Sequence, residues 1–390
     1  MTRVLVITSI LPIATIEYKK TENDILLVTE DEIKKRHPKV QFSYLFTFPY
    51  AGKLLAMMSS KWKSYYELKK RDKYLLRNRI IWLFPILILP KKVFFRTILI
   101  QISLFMNKSK IKTILNEFKP TVIHAQNSDG AAYMARIIGE KYNIPYIVTL
   151  RGLNKFTDKI IKNNLDKASS LLAISPKQKI DGKKLTLKKI NFIPHGINEE
   201  FFLGKKKNEI PVSPLRLVTV CRLIPLKNIN LILKTLSNYE QEVIFDIYGE
   251  GPEKETLNKL IIELGLQDTV NLKGFIPNTT LPLVLNNYQI FIMPSFPETL
   301  GRVYFEAMAC GLPVIASRNT GIDGLITEGK EGFLIDPNNN EDFSRQLIKI
   351  LKKLQNNTTV IETMSSHVKK YALQYTWNTI VSKYMSVYNK

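Results

Sequence analysis

Ile290-Phe-Ile-Met-Pro-Ser-Phe-Pro-Glu-Thr-Leu-Gly-Arg-Val-Tyr-Phe-Glu-Ala-Met-Ala-Cys-Gly-Leu-Pro-Val-Ile-Ala316 packs two apolar runs, a punctuated loop and a helical stretch into 27 residues. Ile290–Met293 is a short unbroken apolar run, as a buried strand requires. Pro294, Pro297 and Gly301 then punctuate a loop, and a helical stretch follows around Val303–Ala309. Gly311-Leu312-Pro313 stops that helix, because glycine accepts the left-handed cap and proline cannot continue the turn. Val314–Ala316 starts the next strand. A strand, a helix and a second strand in this order argue for a parallel sheet.

The same rhythm extends outward in both directions. Upstream, strands are expected at Leu215–Val220, Val243–Tyr248 and Val270–Leu272, with helices at Ile229–Leu236, Glu253–Leu264 and Leu281–Asn286 between them. In the first half, strands at Val4–Ile7, Thr121–Ala125, Tyr146–Leu150, Ser170–Ile174 and Ile190–Ile193 accompany a helix over Ala131–Tyr142. Gly204–Pro214, with three successive lysines and two prolines, interrupts the pattern. The expected architecture is therefore α/β, two Rossmann-like domains facing each other across a cleft. Residues 1–204 form the first, 205–214 a linker and 215–370 the second, while 371–390 form a helix that packs back on the first.

Composition removes most other classes. The 390 residues are 45% hydrophobic and 23% charged, close to globular averages and far from disordered or collagen-like chains. Two cysteines, Cys221 and Cys310, make neither a disulfide framework nor a metal-binding spacing, which fits a reducing cytoplasm. No signal peptide is expected, since Met1-Thr2-Arg3 leads directly into an apolar run that reads as the first strand.

Charge is distributed unevenly. The net value is +23, yet residues 1–211 hold 39 basic and 17 acidic side chains while residues 212–390 hold 18 and 17. The halves thus face different partners. No nucleic-acid recognition module accompanies the basic half, so an anionic membrane surface or a phosphorylated substrate is expected instead. Within it, residues 53–119 contain 16 basic and three acidic side chains around two apolar segments, Ile80–Leu89 and Val93–Met106. Pro85, Pro90, Lys91, Lys92 and Arg96 interrupt them, so they make a poor bilayer span. The second segment reads either as a core helix or as an interfacial one. The interfacial reading implies a peripheral enzyme at the inner face of the plasma membrane.

The chemistry-bearing residues lie after strands of the second half. Ligands of open parallel sheets bind beyond the carboxyl ends of strands. Arg222 and Lys227, five positions apart after Leu215–Val220, suit a diphosphate, with Lys227 at the entrance to a helix. Glu298 lies just before the next functional helix and Glu306 about two turns inside it. Carboxylates suit sugar hydroxyls because their oxygens accept from O–H donors. Gly301 lets the backbone approach a ligand.

These residues resemble the E-x7-E signature of family-four, or group one, retaining glycosyltransferases with the GT-B fold. The resemblance is carried by Glu298-Thr-Leu-Gly-Arg-Val-Tyr-Phe-Glu306, by Arg222-Leu-Ile-Pro-Leu-Lys227, by Gly249-Glu-Gly-Pro252 and by Gly274-Phe-Ile-Pro277, and it covers roughly residues 120–350. It implies transfer of a sugar from a nucleotide-sugar to a glycan or lipid-linked acceptor, in bacterial cell-surface polysaccharide synthesis. Arg222 and Lys227 would hold the diphosphate and stabilise it as it leaves, and Glu298 would contact the donor sugar. Glu306 would meet the ribose, while Gly249, Ile276, Thr299, Leu300 and Gly301 would complete the donor site. No metal or other cofactor is implied, and no D-x-D pair is present. The chain departs from the family at Arg151-Gly152, where His-Gly is usual, and at Gly324, where Glu is common. Arg151 is the candidate acceptor-side contact. The competing class is a catalytically inactive binding or partner subunit of the same fold, against which the joint presence of Arg222, Lys227, Glu298 and Glu306 argues.

Overall fold

The structure is a computed structural model, and it describes residues 1–11, 25–50, 57, 60–87, 95–151, 158–204 and 213–389. They form two compact α/β units. The first comprises residues 1–174, 178–194 and 380–390, and the second residues 175–177 and 195–379.

The first unit holds β1 (Arg3–Thr8), β2 (Gln41–Tyr50), β3 (Lys73–Leu76), β4 (Arg79–Leu87), β5 (Val122–Ala125), β6 (Tyr146–Leu150), β7 (Ser170–Ala173) and β8 (Ile190–Phe192). Their order in the sheet is β3-β4-β2-β1-β5-β6-β7-β8, parallel throughout except for the edge strand β3, which runs antiparallel to β4. The apolar segment from Ile80 is thus a strand, and the segment ending at Met106 is the helix Arg96–Met106. The central strands are buried on both faces, which explains why β5, β6 and β7 read as unbroken apolar runs.

The second unit holds β9 (Leu215–Val220), β10 (Val243–Tyr248), β11 (Val270–Gly274), β12 (Ile290–Met293), β13 (Val314–Ser317) and β14 (Gly332–Ile335). All pair in parallel, in the order β11-β10-β9-β12-β13-β14. This is the doubly wound arrangement in which the strand order reverses between the first strand and the fourth. Phe245, Ile290, Ile315, Phe343 and Leu347 sit in its core, so the helix Asn340–Gln355 packs on the sheet with a buried stripe at Phe343, Leu347, Leu351 and Leu354.

The division between the units falls at Pro194 rather than at the expected 204. Residues 195–204 are tied to the second unit by side chains that no composition shift announces. Gly196 lies so close to the Trp377 ring that a Cβ would come within 2.2 Å of it. Trp377 Nε1 donates to Asn198 Oδ1 at 2.8 Å, and Phe201 is buried with its carbonyl accepting from Cys310 Sγ at 3.4 Å. The expected linker, 205–214, lies mostly outside the described residues. The last helix, Trp377–Tyr388, enters the first unit from Ile380 onward. There Tyr388 donates or accepts at His124 Nδ1 across 2.8 Å.

Candidate functional site

In the second unit the strand order reverses between β9 and β12, and the loops that leave their carboxyl ends carry Arg222, Lys227 and Glu298. Such a reversal sends the two loops to opposite sides and leaves a crevice at their mouths. The fold therefore brings together residues more than seventy positions apart.

Three backbone devices hold these loops. The loop after β9 is pinned from behind by the turn after β10, where Leu223 N–H donates to Glu250 O at 3.0 Å and Glu253 N–H to Leu223 O at 3.1 Å. Gly249 permits this, since a Cβ there would sit 1.8 Å from Cys221 O. Its packing use is one the sequence reading missed. The loop after β12 is stitched to the same segment, with Phe296 N–H donating to Leu226 O at 2.8 Å and Asn228 Nδ2 to Pro294 O at 2.7 Å. Gly321 supports it from the other side. Its N–H donates to Glu298 O at 2.9 Å, and a Cβ on it would lie 1.7 Å from Thr299 O.

Lys227 and Glu298, assigned from sequence to phosphate and sugar respectively, are paired with each other. Lys227 Nζ lies 2.8 Å from Glu298 Oε2, which also accepts from Ser295 Oγ at 2.9 Å, while Oε1 accepts from the Thr299 N–H at 2.9 Å. Both charged side chains are 16% exposed. Burial alone would raise the Glu298 pKa, but the Lys227 ammonium and the hydroxyl and amide donors outweigh it and hold the carboxyl below its ordinary range. Glu298 is therefore an ionised acceptor at neutral pH. Ser295 and Asn228 are the polar residues here that sequence reading missed, and neither belongs to a spacing that marks it.

Arg222 is exposed and forms no ion pair among the described residues. Glu306 is buried on the helix Arg302–Ala309, where Oε1 accepts from Arg302 Nη2 at 3.2 Å. Its other oxygen has no hydrogen-bond partner among the described residues, so it can accept from a ligand hydroxyl. Gly301 caps that helix at φ 72°, in the left-handed region glycine favours. Leu300 is buried in the core, which leaves only its backbone to face a ligand, whereas Thr299 is exposed and Ile276 half-buried. Cys221, next to Arg222, is no nucleophile: burial pushes its thiol up to about 11. Together these segments carry an exposed cation, a cation paired with a carboxylate, and a second carboxylate with a free oxygen. Anionic oxygens and hydroxyls on one ligand match this set.

Arg151 lies in the first unit at the carboxyl end of β6, remote in sequence from these loops. Its Nε donates to Gln126 Oε1 at 3.0 Å. No carboxylate pairs with it among the described residues. Burial, and secondarily the Arg151 charge, lower the pKa of nearby His124 to about 3, so this histidine is neutral. Both its nitrogens are occupied, by Tyr388 Oη at 2.8 Å and Thr149 Oγ1 at 2.7 Å, which makes it a structural residue. His195 is buried in the second unit.

Residues 202–366 match the family described as glycosyl transferases group 1. In sequence the chain is similar to the alpha-monoglucosyldiacylglycerol synthase of Acholeplasma laidlawii, at 24% identity over 71% of this chain and 78% of that protein. It is also similar to the sulfoquinovosyl transferase of Arabidopsis thaliana, at 27% identity over 73% of this chain and 59% of that protein. Its structure resembles sucrose-phosphate synthase from Thermosynechococcus elongatus, with a TM-score of 0.71 at 16% identity, covering 100% of this chain and 98% of the other. It likewise resembles Anabaena HepE in complex with UDP and glucose, with a TM-score of 0.63 at 17% identity and 99% of each chain covered. These likenesses establish the fold as that of the GT-B proteins.

Proposed function

We propose that this chain, a glycosyl transferase of group 1 through its residues 202–366, moves a sugar from a nucleotide-sugar to a lipid-linked or glycan acceptor with retention of configuration. The observation that carries the proposal is the pairing of Lys227 with Glu298 at the strand-order reversal, beside the open cation Arg222. A donor diphosphate exchanges with Glu298 for Lys227, and the released carboxylate accepts from the donor sugar. Arg222 gives the phosphates a second cation, and Glu306 takes the ribose hydroxyls on its free oxygen. The bond from the anomeric carbon to the phosphate oxygen breaks as the acceptor oxygen bonds to the same face. The acceptor proton passes to the departing phosphate, whose charge Arg222 and Lys227 stabilise. No protein nucleophile and no metal ion has a place in this scheme.

Arg151 stands as the proposed acceptor-side contact, a cation in place of the histidine usual in the family. That the Acholeplasma laidlawii relative is named for a glucosylated diacylglycerol supports an acceptor carried on lipid. The uneven charge supports the inner face of a bacterial plasma membrane as the place of work. Melting the protein against a panel of nucleoside diphosphates tests the donor reading. A cognate nucleotide at a hundredfold over its Kd stabilises the fold by about 2.7 kcal/mol. No shift with any nucleoside diphosphate or nucleotide-sugar would overturn it.

A further inference from the structure

The helix Arg96–Met106 lays one face on its own unit and leaves the other bare. Ile100, Ser103 and Leu104 are buried, with Ser103 Oγ accepting from Leu87 N–H at 2.9 Å and Gln101 Nε2 donating to Tyr133 Oη at 2.8 Å. Phe95, Ile98, Ile102, Phe105 and Met106 are exposed, Phe105 at 79% and Ile98 at 48%. Their spacing of three and four places them in one stripe along the helix. Contiguous apolar stripes of this kind on a soluble surface mark an interaction site. No helix among the described residues is long and apolar enough to cross a membrane, so the stripe is not part of a span.

The next helix, Lys108–Phe118, follows after the single residue Asn107. Lys108, Lys112 and Lys119 are exposed and make no ion pair among the described residues. Lys108 and Lys112, one turn apart, stay within about 40° of each other around the helix axis, and Lys119 is the left-handed cap that follows the last turn. The one carboxylate of that helix, Glu117, is matched by Lys73 at 3.4 Å, so it does not cancel the row. Lys110 is spent on Asp72 at 2.7 Å.

We infer that these two helices form a docking surface for an anionic lipid bilayer, with the stripe Ile98, Ile102 and Phe105 inserting among acyl chains and the row Lys108, Lys112 and Lys119 meeting the headgroups. A protein partner would also cover the stripe, but the adjoining row of unpaired lysines calls for a dense negative surface. The inference deepens the membrane part of the proposed function and rests on it for purpose only: its test does not use sugar transfer.

The test is flotation of the full chain with phosphatidylcholine vesicles and with vesicles that also contain phosphatidylglycerol, at low and high salt. The wild type floats with the anionic vesicles and is partly retained at high salt. A variant carrying K108Q, K112Q and K119Q loses the salt-sensitive part, about fivefold in partition per lysine and on the order of a hundredfold in all. A variant carrying I98S, I102S and F105S keeps low-salt binding but is released fully by salt. Unchanged melting shifts with the cognate nucleotide in both variants show that fold and donor site are intact. Flotation of the serine variant equal to wild type overturns the inference, as does a wild-type protein that ignores anionic vesicles at low salt. Gel filtration that finds a wild-type dimer and a monomeric serine variant, without flotation, assigns the stripe to a second copy of the chain instead. Flotation as expected with no nucleotide response would leave the docking surface standing and remove the donor reading.

Discussion

Lys227 and Glu298 neutralise one another, so on the proposed reading donor binding exchanges partners. Removing one member leaves a mostly buried charge alone. Lys227→Met is therefore expected to destabilise the second unit by about 1–3 kcal/mol at neutral pH. The sign with pH follows from the depressed Glu298 pKa. The pairing contributes fully above the ordinary carboxylate range and is lost as pH falls through the folded value. Denaturant melts of wild type and variant should thus converge on acidification; a difference that persists in acid would show that the contribution is not electrostatic. The two glutamates separate kinetically. Glu298→Gln is expected to lower kcat more than nucleotide affinity, and Glu306→Gln to weaken nucleotide binding, read as the split between kcat and Kd for the nucleoside diphosphate. The placement of these four side chains, after β9 and β12 and on the helix that follows, was legible because charge type, spacing and position after a strand are sequence properties. Their pairing was not, because Lys227 meets Glu298 only through the order of strands in the sheet. Ser295 and Asn228 gave no signal at all, being ordinary polar residues until the loops close on them.

Among the elements, strands β9, β10 and β12 and the helix Ile229–Leu236 were readable to the residue, because each is a buried apolar run or stripe bounded by turn residues. The edge strand β3 and the aromatic β2 were not: β3 is only four residues long, and β2 is buried on both faces through its middle and so shows no period of two. Support between elements was equally hidden. Gly321, three residues before the departure at Gly324, carried no signal of its own, yet it is where the loop after β13 touches the backbone that carries Glu298. Gly321→Ala should cost about 1–3 kcal/mol, since a carbonyl oxygen rather than a flexible side-chain tip obstructs the new methyl. The same change should weaken nucleotide binding through displacement of Glu298. A variant with wild-type melting and wild-type affinity would show that the loop yields freely.

At the scale of the whole molecule, the chain closes its first unit with its last residues. Thr2 Oγ1 donates to Asn389 Oδ1 at 3.0 Å, and Tyr388 sits on His124. His124 binds a proton near pH 6.5 when unfolded but only near 3 when folded, so stability is fully present above the unfolded value and falls between the two, by about 1.4 kcal/mol per pH unit. His124→Gln should flatten the acid limb of the stability profile in that window. An unchanged slope would place the acid sensitivity elsewhere. The two-unit plan was legible from the repeated strand–helix rhythm, whereas the boundary at Pro194 was not, because it depends on Gly196, Asn198 and Phe201 finding Trp377 and Cys310.

Arg222 and Lys227 are proposed to hold the diphosphate of a nucleotide donor, and calorimetric titration of the cognate nucleoside diphosphate into wild type and into the R222A/K227A double variant decides it. Two charge-assisted contacts at about 1.5–3 kcal/mol each make a loss of at least a hundredfold in affinity the expected result, with the fold still melting cooperatively. Equal affinity in the folded double variant would contradict the account.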